Sequence, residues 1–167
     1  MEHLNIWLAG GLISLGLIFI LVAVLIRRHG QKKLANCTSK TTGQVYGYSA
    51  VGNGLFYPLV HFEVAGKTHK GKLTYRGIIV KASSFTKKTE IIGDKFALTL
   101  HVKRNSRISF NPLETAIPRG MKLDVYYNPK NPEENYIQRY AKSIVDSAFF
   151  ICAILFILVG ILFYFVI

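Results

Sequence analysis

Three regimes of hydrophobic and polar spacing divide the chain. From Ile6 to Ile26 it reads IWLAGGLISLGLIFILVAVLI, 21 residues without a charge. From Ser147 to Ile167 it reads SAFFICAILFILVGILFYFVI, again 21 uncharged residues. About 20 residues at 1.5 Å rise each cross a hydrocarbon core roughly 30 Å thick, and a helix pairs all its backbone polar groups internally. The two runs therefore predict transmembrane helices over 6–26 and 144–167. Between them the apolar residues recur at every second position, in short runs broken by Gly, Pro and Asn, which is the period of strands.

The clearest hairpin is YPLVHFEVAGKTHKG, Tyr57 to Gly71. Val60, Phe62 and Val64 point one way and Leu59, His61 and Glu63 the other. An Ala65-Gly66-Lys67 turn follows, with Gly66 supplying a positive φ. On the return, His69 and Leu73 join the apolar face, and Thr68, Lys70 and Lys72 the wet one. Upstream, GQVYGYSA from Gly43 is a short strand and VGNG a turn. Downstream, Ile78-Ile79-Val80 continues a strand and KASSFTKKTE is a loop. Phe96, Leu98, Leu100 and Val102 alternate with Ala97, Thr99, His101 and Lys103, predicting one half-buried strand that turns at Arg104–Ser106 into Arg107–Phe110. Leu123, Val125 and Tyr127 share a face before Asn128-Pro129-Lys130-Asn131-Pro132 ends that strand, since neither proline can donate to a ladder. Tyr136-Ile137 begins a last short strand or leads into the second span. The expected fold is a membrane α + β protein: a basic linker without period over 27–42, then six or so strands forming a small antiparallel β barrel or sandwich over 43–138, held between the two spans.

The order Gly43-x-Val45, Tyr57-Pro58-x-Val60-x-Phe62, Gly66-Lys67-x-His69, Gly120-x-x-x-x-Val125-x-Tyr127-Asn128-Pro129-x-Asn131-Pro132 resembles the bacterial membrane-protein family catalogued as domain of unknown function 3592. The resemblance covers roughly Gly43 to Ile137 and rests on turn glycines, strand apolars and a terminal Tyr-x-Pro-x-x-Pro-like element. It implies a small β domain beside transmembrane helices, and it brings no catalytic residues with it.

Charge adds an orientation. All 21 Lys and Arg lie between Arg27 and Lys142, with seven of the nine acids. Basic residues flanking a span are retained in the cytoplasm. Arg27, Arg28, Lys32 and Lys33 on one side, and Arg139 and Lys142 on the other, therefore predict a bacterial inner-membrane protein with both termini outside and the central domain cytoplasmic. The long first run, the absence of Lys or Arg before it and RRHGQKK after it argue against a cleaved signal peptide.

No H-E-x-x-H, G-x-S-x-G, Walker A or C-x-x-C motif occurs. His61 and His69 fall on opposite hairpin faces, Glu63 is placed to pair diagonally with Lys70, and Asp146 sits at the membrane interface just before the second uncharged run. Cys37 and Cys152, one leading into the domain and one in a span, are not a disulfide pair. The expectation is no metal, no cofactor and no enzyme. Lys87, Lys88, Lys95, Lys103, Arg104 and Arg107 form the candidate anionic-surface patch, facing either anionic lipid, where each nearby cation gains about 1 kcal/mol, or phosphates of nucleic acid. Lipid ranks first because no nucleic-acid-binding motif is present, so nucleic acid is an unlikely partner. Gly10 with Ser14, and Ala148 with Cys152, are small-xxx-small pairs that suit close helix packing within the chain or in a homo-oligomer. Together these readings give a non-enzymatic, membrane-anchored β domain that binds a protein partner or docks on membrane lipids. A narrower version is an accessory or immunity protein that sequesters a membrane-acting toxin, and the alternative is a membrane-tethered nucleic-acid-binding protein.

Overall fold

A computed structural model describes residues 2–52, 55–86, 88–105 and 111–166. The turn expected at VGNG lies partly, and the strand expected at Arg107–Phe110 wholly, outside them. The element order is α1 (Glu2–Asn36), β1 (Ser39–Gly52), β2 (Leu55–Val64), β3 (Lys67–Lys72), β4 (Gly77–Ser83), β5 (Glu90–Ile92), β6 (Thr99–Asn105), α2 (Pro112–Ala116), β7 (Lys122–Asn128), β8 (Asn131–Ile137) and α3 (Val145–Val166). Apolar helices thus stand at both ends of a β domain, and both are long and apolar enough to cross a membrane. The chain divides into two compact units, Met1–Lys32 with Ser143–Ile167, and Lys33–Lys142.

The linker expected over 27–42 is not formed: α1 runs on to Asn36 and β1 begins at Ser39. Gln31, Lys32, Lys33, Leu34 and Ala35 are all strong helix formers, so the helix continues without any apolar period to announce it. It closes with the amide of Cys37 bonded to the carbonyl of Lys33 at 3.1 Å.

In the helical unit, α1 and α3 meet through small residues seven apart. Ala9, Gly16 and Ala23 are buried on α1, and Asp146, Ala153 and Gly160 on α3. A Cβ added at Gly16 would lie 2.6 Å from Ile157 Cγ1 and 3.0 Å from the Ala153 carbonyl; one at Gly160 would lie 2.9 Å from Ile13 Cγ1 and 3.2 Å from the Ala9 carbonyl. Phe19 fills the space beyond, its ring 5.2 Å from that of Phe149 and 5.4 Å from that of Phe156. A seven-residue repeat keeps one seam of each helix facing its partner. The small pairs singled out in the sequence are not that seam. A Cβ at Gly10 would meet nothing within 4 Å, Ser14 bonds back to the Gly11 carbonyl at 2.8 Å, and Ala148 and Cys152 are exposed. Several small-residue stripes exist on these helices, and packing selects the one that lets the aromatic and branched side chains interlock. Asp146, expected at the membrane interface, lies one heptad before Ala153 and is buried.

The β unit has two sheets over one core. Five antiparallel strands run in the order β3-β2-β1-β7-β8, and three in the order β4-β6-β5. The second sheet departs from the all-antiparallel expectation, because β4 and β6 pair in parallel while β5 and β6 are antiparallel. Val45, Val60, Phe62, Leu100, Val102, Leu123 and Val125 meet in the core. The five-stranded sheet curls until its edges approach: Asn135 Nδ2 on β8 donates to the Lys70 carbonyl on β3 at 3.1 Å. Gly71 permits this closeness, since a Cβ there would lie 2.6 Å from Asn135 Oδ1 and 2.8 Å from Ile137 Cδ1. The result is a nearly closed barrel.

In the β2–β3 hairpin the side chains take the expected faces, with Phe62 opposite His69, His61 opposite Lys70 and Glu63 opposite Thr68. Its turn is tighter than expected, two residues with Ala65 at φ 50° and Gly66 at φ 75°, so Lys67 already belongs to β3. The polar side-chain contact that ties β3 to β8 is between His69 Nδ1 and Glu133 Oε1, 3.0 Å apart, in place of the expected Glu63–Lys70 contact. The strand expected from Phe96 starts only at Thr99. Asp94 explains the delay: its Oδ1 accepts from the Phe96 amide at 2.8 Å and its carbonyl from the Ala97 amide at 3.0 Å, a local turn that competes with the ladder. β7 ends at Asn128 as expected, but Pro132 does not stop the chain from forming a further strand. It lies inside β8, which pairs with β7 alone, beside a register shift at Tyr127/Asn128 where a missing donor costs little. Tyr136 and Ile137 close β8 instead of opening a further strand.

Candidate functional site

The parity of β4, β5 and β6 sorts the second sheet into two faces. Leu100, Val102, Ile78, Val80 and Ile91 pack on the core. The register then places Ile79, His101 and Ile92 side by side on the outer face, and Lys81, Lys103 and Glu90 in the next rank. Lys81, Lys103 and Glu90 are all exposed, as are Ile79 and Ile92.

The β4–β5 connection rises at the end of this face. The Ser83 side chain accepts from the Phe85 amide at 3.2 Å, and the Ser83 carbonyl accepts from the Thr86 amide at 3.2 Å. From the far side Asn105 on β6 holds the loop: its Nδ2 donates to the Thr86 carbonyl and its amide bonds Thr89 Oγ1 at 3.4 Å. Thr86 is consequently buried, and Phe85 points away with 94% of its surface exposed. Ser83, Phe85, Thr86, Lys88, Glu90 and Lys103 line one open concavity. A phenylalanine tip with a basic rim can enter an amphipathic surface, where the ring leaves water and the ammonium groups stay at its polar edge.

The structure brings only part of the sequence-derived patch together. Lys88 and Lys103 belong to this concavity. Arg104 is half-buried and lies opposite Ala82 on the other parity of β6. Lys95 is a structural residue: its Nζ donates to the Ala116 carbonyl at 2.8 Å, lies 4.0 Å from Met121 Sδ and sits 5.4 Å above the Phe96 ring. Lys87 and Arg107 lie outside the described residues. Two contributors went unnoticed in the sequence, Lys81 and Phe85. The alternation of Ile78–Ser83 would have found Lys81, whereas Phe85 sits in a loop without period and carries no local signal.

No family model, curated protein or solved structure matches this chain.

Other polar clusters are occupied by structure. Among the described residues no group of three or more His, Cys, Asp and Glu is placed to hold a metal ion. His61 lies against Tyr46, ring centroids 5.6 Å apart, and His69 against Phe62 at 5.7 Å, on opposite faces as expected. The Cys37 thiol donates to the Glu134 carbonyl at 3.2 Å; burial, then the Glu134 charge, pushes its pKa up, which favours the inert thiol. Both cysteines are free. On the outer face of the five-stranded sheet, Tyr126 and Tyr136 stack at 5.0 Å and Tyr140 meets Tyr136 edge-on at 5.8 Å. Lys40 lies 5.6 Å above Tyr126 and is held 2.9 Å from Asp124 Oδ2. These rings are spent on one another, which weakens them as a platform for stacking bases.

Proposed function

We propose that this protein is a membrane-anchored, non-enzymatic binding domain. α1 and α3 are its bilayer anchors, both termini lie outside a bacterial inner membrane, and the β unit lies in the cytoplasm, where it engages a protein partner or the membrane itself. Membership in the family catalogued as domain of unknown function 3592, and the narrower role of an accessory or immunity protein, belong to the same proposal. The observation that carries it is the outward cover of the two end helices. Leu17, Ile18, Leu21 and Leu25 on α1, and Ile151, Leu155, Leu158 and Leu162 on α3, are exposed. Apolar surface on this scale is not left to water in a soluble protein. The basic residues Arg27, Arg28, Lys32 and Lys33 at the C-terminal end of α1, and Lys142 just before α3, support the cytoplasmic side.

A reporter fused after Lys142 tests the arrangement. A fluorescent protein there is expected to mature in the cytoplasm, and alkaline phosphatase is expected to be inactive. Phosphatase activity at that position places the domain outside and overturns the topology.

A further inference from the structure

We propose that the Phe85 loop and the outer face of the three-stranded sheet are a second, reversible membrane contact made with anionic phospholipid. Phe85 enters the interfacial region, and Lys81, Lys88 and Lys103 lie at the headgroup phosphates. The proposal rests on the membrane-anchored reading above.

Three independent features converge on it. The exposure of Phe85 is built in: Ser83 holds the loop on one side of it and Asn105 on the other, with Thr86 buried as the fixed point. A large aromatic held in water by a hydrogen-bonded loop gains wherever water is removed from its ring. The charge around it has the right sign, since Lys81 and Lys103 share a rank, Lys88 lines the same concavity, and Glu90 is the acid among them. Ile79 and Ile92, 46% and 49% exposed, add an apolar shoulder on the neighbouring rank. Finally, the chain supplies the tether. Only Cys37 and Thr38 separate α1 from β1, and residues 138–144 separate β8 from α3. A single aromatic and three lysines would hold a free protein only weakly, but a tethered domain meets the bilayer at a high effective concentration, so a weak contact suffices.

A protein partner could use the same face. Lipid is favoured because an anionic leaflet is the one surface that the proposed anchors keep beside the domain, and because the rim is basic.

Trp7 is the chain's one tryptophan, so a Trp7→Phe, Phe85→Trp variant of the full chain reports on this position alone. It is reconstituted into vesicles of phosphatidylcholine, with or without phosphatidylglycerol, with brominated acyl chains as quencher. In anionic vesicles the indole emission is expected to shift to the blue and to be quenched by bromine. Added salt should reverse both, because screening shortens to about 3 Å at 1 M. Adding Lys81→Gln, Lys88→Gln and Lys103→Gln should lower the ratio of docked to free domain by roughly a hundredfold, from about 1 kcal/mol per charge. Water-like, unquenched emission in both vesicle types overturns the proposal. So does a shift that appears only when a cytoplasmic extract is added, which gives the face to a protein partner. Symmetric vesicles present the same lipid on either side, so this result is independent of the topology decided by the Lys142 fusion.

Discussion

Arg139 lies over the ring of Tyr75, its Cζ 5.2 Å from the ring centroid, and closes the end of the β domain. Its Nε and Nη2 donate to the carbonyls of Phe96 and Ala97, and its Nη1 to that of Thr74 at 3.4 Å. Gln138 aims it there by adopting φ 60°, a left-handed conformation in which its amide bonds the Asp124 carbonyl at 2.8 Å. Arg139 therefore joins the end of β8 to the turn before β6. A planar guanidinium reaches three carbonyls and a ring face at once, and an ammonium does not. Arg139→Lys is expected to lower stability by about 2–3 kcal/mol, read as the denaturation midpoint of the full chain in detergent. Equal stability of the two proteins would show that the clasp contributes nothing.

Tyr75 predicts a pH dependence. Burial holds its hydroxyl well above the ordinary phenol range, with Arg139 pulling the other way. The folded state thus favours the protonated ring. Below pH about 10 the hydroxyl is protonated in both states and its contribution is complete; as pH rises beyond that, the unfolded chain releases the proton first and stability falls. Tyr75→Phe should flatten the decline above pH about 10. At neutral pH it should cost about 1 kcal/mol, since the bond from the Tyr75 hydroxyl to the Lys95 carbonyl at 2.7 Å is lost. A decline as steep in the variant as in the parent would assign the effect to other groups.

Phe62 and His61 are neighbours on β2 with opposite fates. Phe62 is 1% exposed in the core, and His61 faces outward against Tyr46. Phe62→Ala should cost about 3–5 kcal/mol and His61→Ala under about 1 kcal/mol. Chemical denaturation of both variants decides whether the register is right; similar losses would place it one residue out.

The helical seam makes a matched pair of its own. Gly16→Leu puts a side chain where Ile157 and the Ala153 carbonyl already stand, whereas Gly10→Leu enters open space. The first is expected to destabilise the helical unit by about 1–3 kcal/mol, and the second to stay within about 0.5 kcal/mol, by thermal loss of helix signal in detergent. If Gly10→Leu were the costly one, the sequence-derived pair Gly10–Ser14 would be the true seam.

Much of the architecture was legible from local pattern. Two uncharged runs announced the end helices, and period-two alternation assigned Val60, Phe62, Leu100, Val102, Leu123 and Val125 to the interior, where all are buried. These are local facts, because strand pleat and helix rise dictate which side chains share a face before any partner is chosen. The remainder depended on partners distant in the chain. That β4 would lie parallel to β6, that Gly16 rather than Gly10 would meet α3, and that Arg139 would turn inward to Tyr75 are not written in any window of neighbouring residues. The same holds for the candidate site. Lys88 and Lys103 were visible as charges, but only the pairing of β4, β5 and β6 set Lys81 and Lys103 in one rank, and only the bonds from Ser83 and Asn105 turned Phe85 outward beside them. A side chain's face follows from backbone geometry, whereas its neighbours follow from which surfaces bury one another, and that choice is made by the whole chain.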